Sequence, residues 1–166
     1  IDFGILGKAE RDSGHEVRRF GEEMLFQDLK DRNTSAILNC GAKKIVTADP
    51  HAYNTLKKDY RDIPPVEHIS QTIVQHLKAG KIRLKPVEDS SKTYVYHDPC
   101  YLGRHNRLYD EPREAIDAVP GIKRIEMADN CRDRSFCCGG GGLMLFYEPE
   151  EDQRMGVLRV EMAKKA

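Results

Sequence analysis

Short β-branched runs alternate with stretches of helical periodicity, and this alternation restricts the chain more than any other feature. Lys44-Ile45-Val46-Thr47-Ala48, Val66 to Ile69, Thr93-Tyr94-Val95-Tyr96 and Lys123 to Met127 have the length and residue types of strands. Val17, Phe20, Met24, Leu25 and Leu29 recur every three or four residues, which predicts a helix from Gly14 to Lys30 ended by Asn33-Thr34-Ser35. Pro50 opens a second helix carrying Tyr53, Leu56 and Tyr60, broken by Pro64-Pro65. Ser70 is the expected cap of a helix from Gln71 to Ala79, ended by Gly80. Glu111 to Val119 and Glu151 to Lys165 complete the helical set. Strands alternating with helices imply parallel βαβ units with right-handed crossovers. The expected class is α/β, with short parallel sheets flanked by helices.

A weak internal repeat underlies this order. Arg18-Arg19-Phe20-Gly21 and the helix after it resemble Gln153-Arg154-Met155-Gly156 and its following helix. Upstream of the second copy lies Cys137-Cys138-Gly139, and in the equivalent place upstream of the first lies Asp12-Ser13-Gly14. The first copy continues to Ile45-Val46-Thr47-Ala48-Asp49-Pro50-His51-Ala52, whereas the second stops at Ala166. Residues 85–92 read as a linker, which divides the chain into units 1–85 and 86–166. The opening Ile1-Asp2-Phe3-Gly4 carries neither an initiator Met nor a signal-peptide pattern, so the chain is expected to be a fragment of a longer polypeptide.

Composition removes several function classes. Lys plus Arg and Asp plus Glu are both 27, a zero net charge that argues against a phosphate-neutralising nucleic-acid binder. Charged residues make up 33%, and no apolar run approaches the roughly 20 residues that cross a bilayer. Five cysteines, Cys40, Cys100, Cys131, Cys137 and Cys138, are an odd number with two adjacent, which suits a disulfide framework poorly. They point to a reducing, cytoplasmic setting and to metal binding or redox chemistry. Cys40 is read as a small buried hydrophobe.

Chemistry concentrates in the second half. His97-Asp98-Pro99-Cys100-Tyr101 follows a strand, where open α/β sheets place their sites. Cys137-Cys138 precedes Gly139-Gly140-Gly141-Gly142, a segment that brings bare backbone amides close to an anionic centre. Thiolates ringed by N–H donors suit an iron–sulfur centre.

The segments His97 to Asn106, Tyr109-Asp110-Glu111-Pro112-Arg113 and Ser135-Phe136-Cys137-Cys138-Gly139 resemble the cysteine-rich CCG domain of the heterodisulfide reductase family. Gly4 to Glu10 and Pro50 to Leu56 resemble its iron–sulfur oxidoreductase members. The resemblance implies two pseudo-repeated CCG-type units. It implies a 4Fe-4S cluster of the non-cubane type, held here by Cys100, Cys137 and Cys138. It also implies electron transfer with reduction of a disulfide substrate. Flavoprotein, ferredoxin-like or membrane quinone-reactive subunits are the implied partners, which would bring the chain to the cytoplasmic face of a membrane.

Departures from the family pattern weigh as much. The pattern puts cysteines where this chain has Asp12, Ser13, Asp49 and Ala52. The first site is therefore expected to be degenerate, its polar replacements simply solvated, and the CxxC of the second is expected beyond Ala166. Three alternatives stand beside the cluster. The three cysteines are buried free thiols; they close a structural zinc site with His97 or Cys131 as a further ligand; or the chain is a cluster-free docking domain within an electron-transfer complex. Cys131 is read as a non-ligand. His97 and His105 flank Cys100, either as proton donors to a thiolate or as loop caps. Arg104 either lowers a nearby thiol pKa or sits in a surface ion pair. The Lys/Glu-rich helices at 15–31 and 151–165 are read as ordinary amphipathic faces.

Overall fold

A computed structural model describes residues 2–147 and 149–166; Ile1, part of the expected fragment start, and Glu148 lie outside the described residues. The elements are α1 (His15–Arg19), α2 (Glu23–Asn39), β1 (Ile45–Thr47), α3 (Pro50–Lys58), β2 (Val66–His68), α4 (Ile69–Lys78), β3 (Thr93–Val95), α5 (Asp110–Asp117), β4 (Lys123–Ile125) and α6 (Met155–Lys165). Single 3-10 turns occupy Ala128–Asn130, Arg132–Arg134, Met144–Phe146 and Glu151–Gln153.

The class is α/β. β1 pairs in parallel with β2, with Ile45 opposite Val66 and Thr47 opposite His68. β3 pairs in parallel with β4, with Thr93 opposite Lys123 and Val95 opposite Ile125. Each pair is joined through a helix, as parallel strands require. The ladders are shorter than the β-branched runs, and β1 and β3 end at Thr47 and Val95, before Asp49-Pro50 and Asp98-Pro99. Proline donates no hydrogen bond and ends a ladder.

Several boundaries differ from expectation. The predicted helix from Gly14 to Lys30 is two helices, interrupted where Gly21 adopts φ 97°. α2 then runs through Asn33-Thr34-Ser35 instead of ending there. Asn33 is buried and donates to Asp12 O (2.9 Å) and Tyr60 Oη (3.0 Å), so a polar side chain that usually breaks helices is satisfied across the fold. The Ser35 hydroxyl donates to Asp31 O within the helix. The cap of α4 is His68 and not Ser70: its side chain accepts from Ser70 N while Gln71 reaches back to the His68 N–H. α6 starts at Met155, since residues 151–153 form a separate turn and Arg154 is extended.

The best-buried apolar cluster is Tyr53, Leu102 and Leu108, with Val66 packed against it. Its members come from both halves of the chain. Asn106 Nδ2 donates to Asn54 Oδ1 (3.0 Å), Lys58 Nζ donates to His105 O (2.6 Å), and α4 packs on α5. Phe26, fully buried, meets Tyr60 edge-on at 6.3 Å. No helix among the described residues is long and apolar enough to cross a membrane.

One turn occurs twice. Gly14 has φ 79° and donates its N–H to Asp12 Oδ1 (2.7 Å); Gly139 has φ 78° and donates to Cys137 Sγ (3.4 Å). Both are left-handed positions that glycine takes at no steric cost. The side-chain acceptor differs, oxygen in one and sulfur in the other, while the backbone is shared.

Candidate metal centre

After β3 the chain descends through His97 and Asp98 into the turn that carries Cys100. Asp98 is only 2% exposed. Its carboxylate accepts from Arg113 Nη1 (2.6 Å) and Nη2 (2.8 Å) and from the Arg132 N–H (2.7 Å). Its carbonyl accepts from Ser135 Oγ (3.0 Å). Arg113 spans on to Glu126 through Nε (2.7 Å) and Nη2 (2.9 Å). One buried carboxylate thus ties α5, β4 and the 131–135 segment to the strand end beside Cys100. Charge-assisted, bidentate bonds of this kind fix geometry as well as energy.

Three thiols converge from the two segments. Cys137 and Cys138 both lie close enough to Cys100 to act on its thiol electrostatically. Gly140 N donates to Cys138 Sγ (3.4 Å), matching the Gly139 donation to Cys137. Arg104 Nη1 points at Cys100 Sγ (3.7 Å). The same guanidinium braces the preceding loop, donating to Asp133 O and to Ser135 O (2.7 Å). Arg104 is therefore no surface ion pair. Burial pushes the Cys100 thiol up, the neighbouring thiols push it further, and Arg104 only partly opposes them. Cys100 alone is a poor nucleophile at neutral pH; a bound metal would deprotonate it outright. Cys138 is exposed and borders an open cleft with Gly139, Gly140, Met144, Tyr147 and Met155.

Arg159, on α6, joins the site without any signal of it in the sequence. It is 6% exposed, and its Nε donates to His97 Nδ1 (2.9 Å), its Nη1 to Asn130 O (2.9 Å) and its Nη2 to Ser135 Oγ (3.2 Å). Burial lowers its pKa, and the nearby thiols and Asp98 hold it up. His97 is pushed down by burial and then by Arg159, so it is a neutral acceptor at Nδ1 rather than a proton donor there. The His105 ring stacks on Tyr101 at 4.6 Å, and burial followed by the cations Lys58, Arg19 and Arg104 lowers it as well. Neither histidine is paired with a thiol.

Cys131 donates from Sγ to Ala128 O (3.2 Å). Cys40 corrects the expectation of burial: it is exposed at the C-terminal end of α2, its thiol turned to Ile37 O (3.1 Å). The replacements in the first repeat are also more than solvated. Asp49 caps α3, accepting from His51 N (2.8 Å), and Asp12 holds the Gly14 turn. Among the described residues, the group of three ligand-bearing side chains with donor atoms all within 4.8 Å of one another is His15, Glu16 and His51; the three cysteines do not form such a group.

A family model described as "CCG: Cysteine-rich domain" matches residues 94–166. The chain is 42% identical to the probable iron-sulfur-binding oxidoreductase FadF of Bacillus subtilis (strain 168), over 98% of this chain and 23% of that protein. It is 37% identical to the EtfAB:quinone oxidoreductase of Syntrophomonas wolfei, over 95% of this chain and 22% of that protein. It is 34% identical to one subunit of the dihydromethanophenazine:CoB--CoM heterodisulfide reductase of Methanosarcina barkeri, over 98% of this chain and 41% of that protein. The chain thus spans less than half the length of these curated relatives. No solved structure matches it significantly.

Proposed function

Residues 94–166 belong to the CCG cysteine-rich domain family, and on that premise we propose that Cys100, Cys137 and Cys138 hold an iron–sulfur cluster of an electron-transferring oxidoreductase. The observation that carries this reading is the convergence of three thiols with backbone N–H donors already directed at two of them. The donor set fits such a cluster. Thiolate sulfur is its usual ligand, and hydrogen bonds to that sulfur tune its potential.

When bound, the cluster supplies one-electron transfer; a 4Fe-4S centre with disulfide reduction is the reaction type we assign. The protein's own groups do the rest. Asp98 and Arg113 hold the Cys100 turn against the 131–135 segment. Arg104 and Arg159 place two cations beside the thiols, which offsets the negative charge of metallated sulfur. The cleft bordered by Cys138 and its glycines leaves an approach for a disulfide sulfur or a partner. The relatives include an EtfAB:quinone oxidoreductase and a heterodisulfide reductase subunit, so flavoprotein, ferredoxin-like and quinone-reactive subunits are the partners we assign. Five free cysteines suit a reducing, cytoplasmic setting, reaching a membrane face through such partners.

Anaerobic purification followed by iron, zinc and acid-labile sulfide analysis tests the reading. Iron with sulfide and a visible absorption band are expected, both lost in Cys137→Ala/Cys138→Ala. Unchanged iron and spectrum in that variant would sink the assignment. Zinc bound at the cysteines without sulfide would replace it with a structural metal site.

A further inference from the structure

His15, Glu16 and His51 lie outside the cysteine site, with donor atoms all within 4.8 Å of one another. We propose that these three hold a divalent transition-metal ion of the zinc class, through His15 Nε2, a Glu16 carboxylate oxygen and His51 Nδ1.

The first support is orphaned polarity. His15 is 2% exposed, and its Nε2 is sealed from solvent with no hydrogen-bond partner. Both Glu16 carboxylate oxygens are likewise sealed and accept no hydrogen bond. A buried carboxylate and a buried imidazole nitrogen left unsatisfied are costly, and a cation between them removes both costs together.

The second support is orientation. His15 Nδ1 is 2.6 Å from the hydroxyl of Thr55, which is fully buried. With Nδ1–H donated to that hydroxyl, the Nε2 lone pair faces Glu16; metal-bound histidines are normally held by such a partner on the other ring nitrogen. The His15 and His51 rings stack at 4.8 Å, and the Tyr101 ring meets both edge-on, at 4.2 and 4.8 Å.

The third support is spacing. His15 Nε2 is 3.9 Å from Glu16 Oε1, and His51 Nδ1 is 2.9 Å from the same oxygen, yet that oxygen accepts no hydrogen bond. Zinc at about 2.0–2.2 Å from nitrogen and oxygen ligands draws them to within about 3–4 Å of one another. Both separations are ion-pair distances that one shared cation would also produce. Two imidazoles and one carboxylate form a borderline set, suited to zinc rather than to calcium or an iron–sulfur cluster. A Cβ on Gly141 would stand 2.8 Å from His51 Cε1, so only glycine lets that loop close over the site. None of the three ligands belongs to the cysteine centre, so failure of either site leaves the other standing.

The experiment is a competitive titration of the metal-free full chain with zinc, repeated with cobalt(II) as a spectroscopic probe. In a Cys100→Ser/Cys137→Ser/Cys138→Ser background, one equivalent of zinc should bind, and bound cobalt(II) should show no thiolate charge-transfer band. Glu16→Gln or His51→Gln should weaken that binding by at least about tenfold, and Thr55→Val by about tenfold as a support of His15. Glu16 and His51 are half-buried, so their variants are expected to keep the fold, which circular dichroism verifies. If the triple-serine background does not fold, the same two variants in the wild-type chain should remove the cobalt(II) bands of nitrogen and oxygen ligation. No zinc uptake without the cysteines, or uptake unchanged in both Glu16→Gln and His51→Gln, overturns the proposal.

Discussion

Asp98 organises the cysteine site without contributing a thiol to it. It is buried, doubly bonded to Arg113 and also accepts the Arg132 N–H. Removing one partner of a buried pair leaves an uncompensated charge, so Asp98→Asn should cost about 3 kcal/mol of unfolding free energy. Urea unfolding measures it, and a loss below about 1 kcal/mol would contradict this role. The same network sets an acid limit. The Arg113 hydrogen bonds, with Arg124 behind them, pull the Glu126 carboxyl from 4.5 down to about 2. A carboxyl harder to protonate when folded adds stability above pH 4.5, and that contribution is lost as pH falls toward 2. The melting-temperature gap between the native chain and Glu126→Gln should therefore be full at neutral pH and narrow across that window; a gap independent of pH would refute it. The cysteines and their glycines were legible in the sequence because they are adjacent in it. Arg159 and the pair His15–His51 were not. Arg159 reaches His97 from a distant helix, and His15 opens a helix whose composition reads as an ordinary amphipathic face.

At the scale of elements, α4 shows how a helix can begin on an unexpected residue. His68 closes β2, caps α4 and, through Nε2, contacts Ala48 O at the end of β1 (3.2 Å). Burial lowers its pKa, which keeps Nδ1 a bare acceptor for Ser70 N. His68→Ala should cost about 1 kcal/mol, the usual worth of a cap. Thermal unfolding reads it, and a Ser70→Ala change that cost more would restore the cap that the sequence alone suggests. Element types were legible throughout from periodicity and β-branching. Their ends were not, because ends are decided by partners: Asn33 stays helical through Asp12 and Tyr60.

At the scale of the whole molecule, the two halves share one core. Tyr53 packs on Leu102 and Leu108 across the expected division, and α4 packs on α5. Each sheet has two strands, and isolated pairs of that kind are marginal in water. Residues 1–85 alone should lack cooperative unfolding and slow amide exchange, since Tyr53 would lose its neighbours. A sharply melting 1–85 fragment would show instead that the first half is a domain in its own right. The parallel α/β order was readable from strand–helix alternation, whereas the sharing of a core was not, because no local pattern records which faces meet.

The turn that occurs at both Gly14 and Gly139 has an evolutionary consequence. At one copy a carboxylate oxygen receives the backbone N–H, at the other a thiol sulfur, and the chain bends alike around each. The turn accommodates either acceptor atom. A lineage that lost its cysteines in the first half would still inherit the mould in which they sat, and regaining one there would require a change of side chain but not of fold.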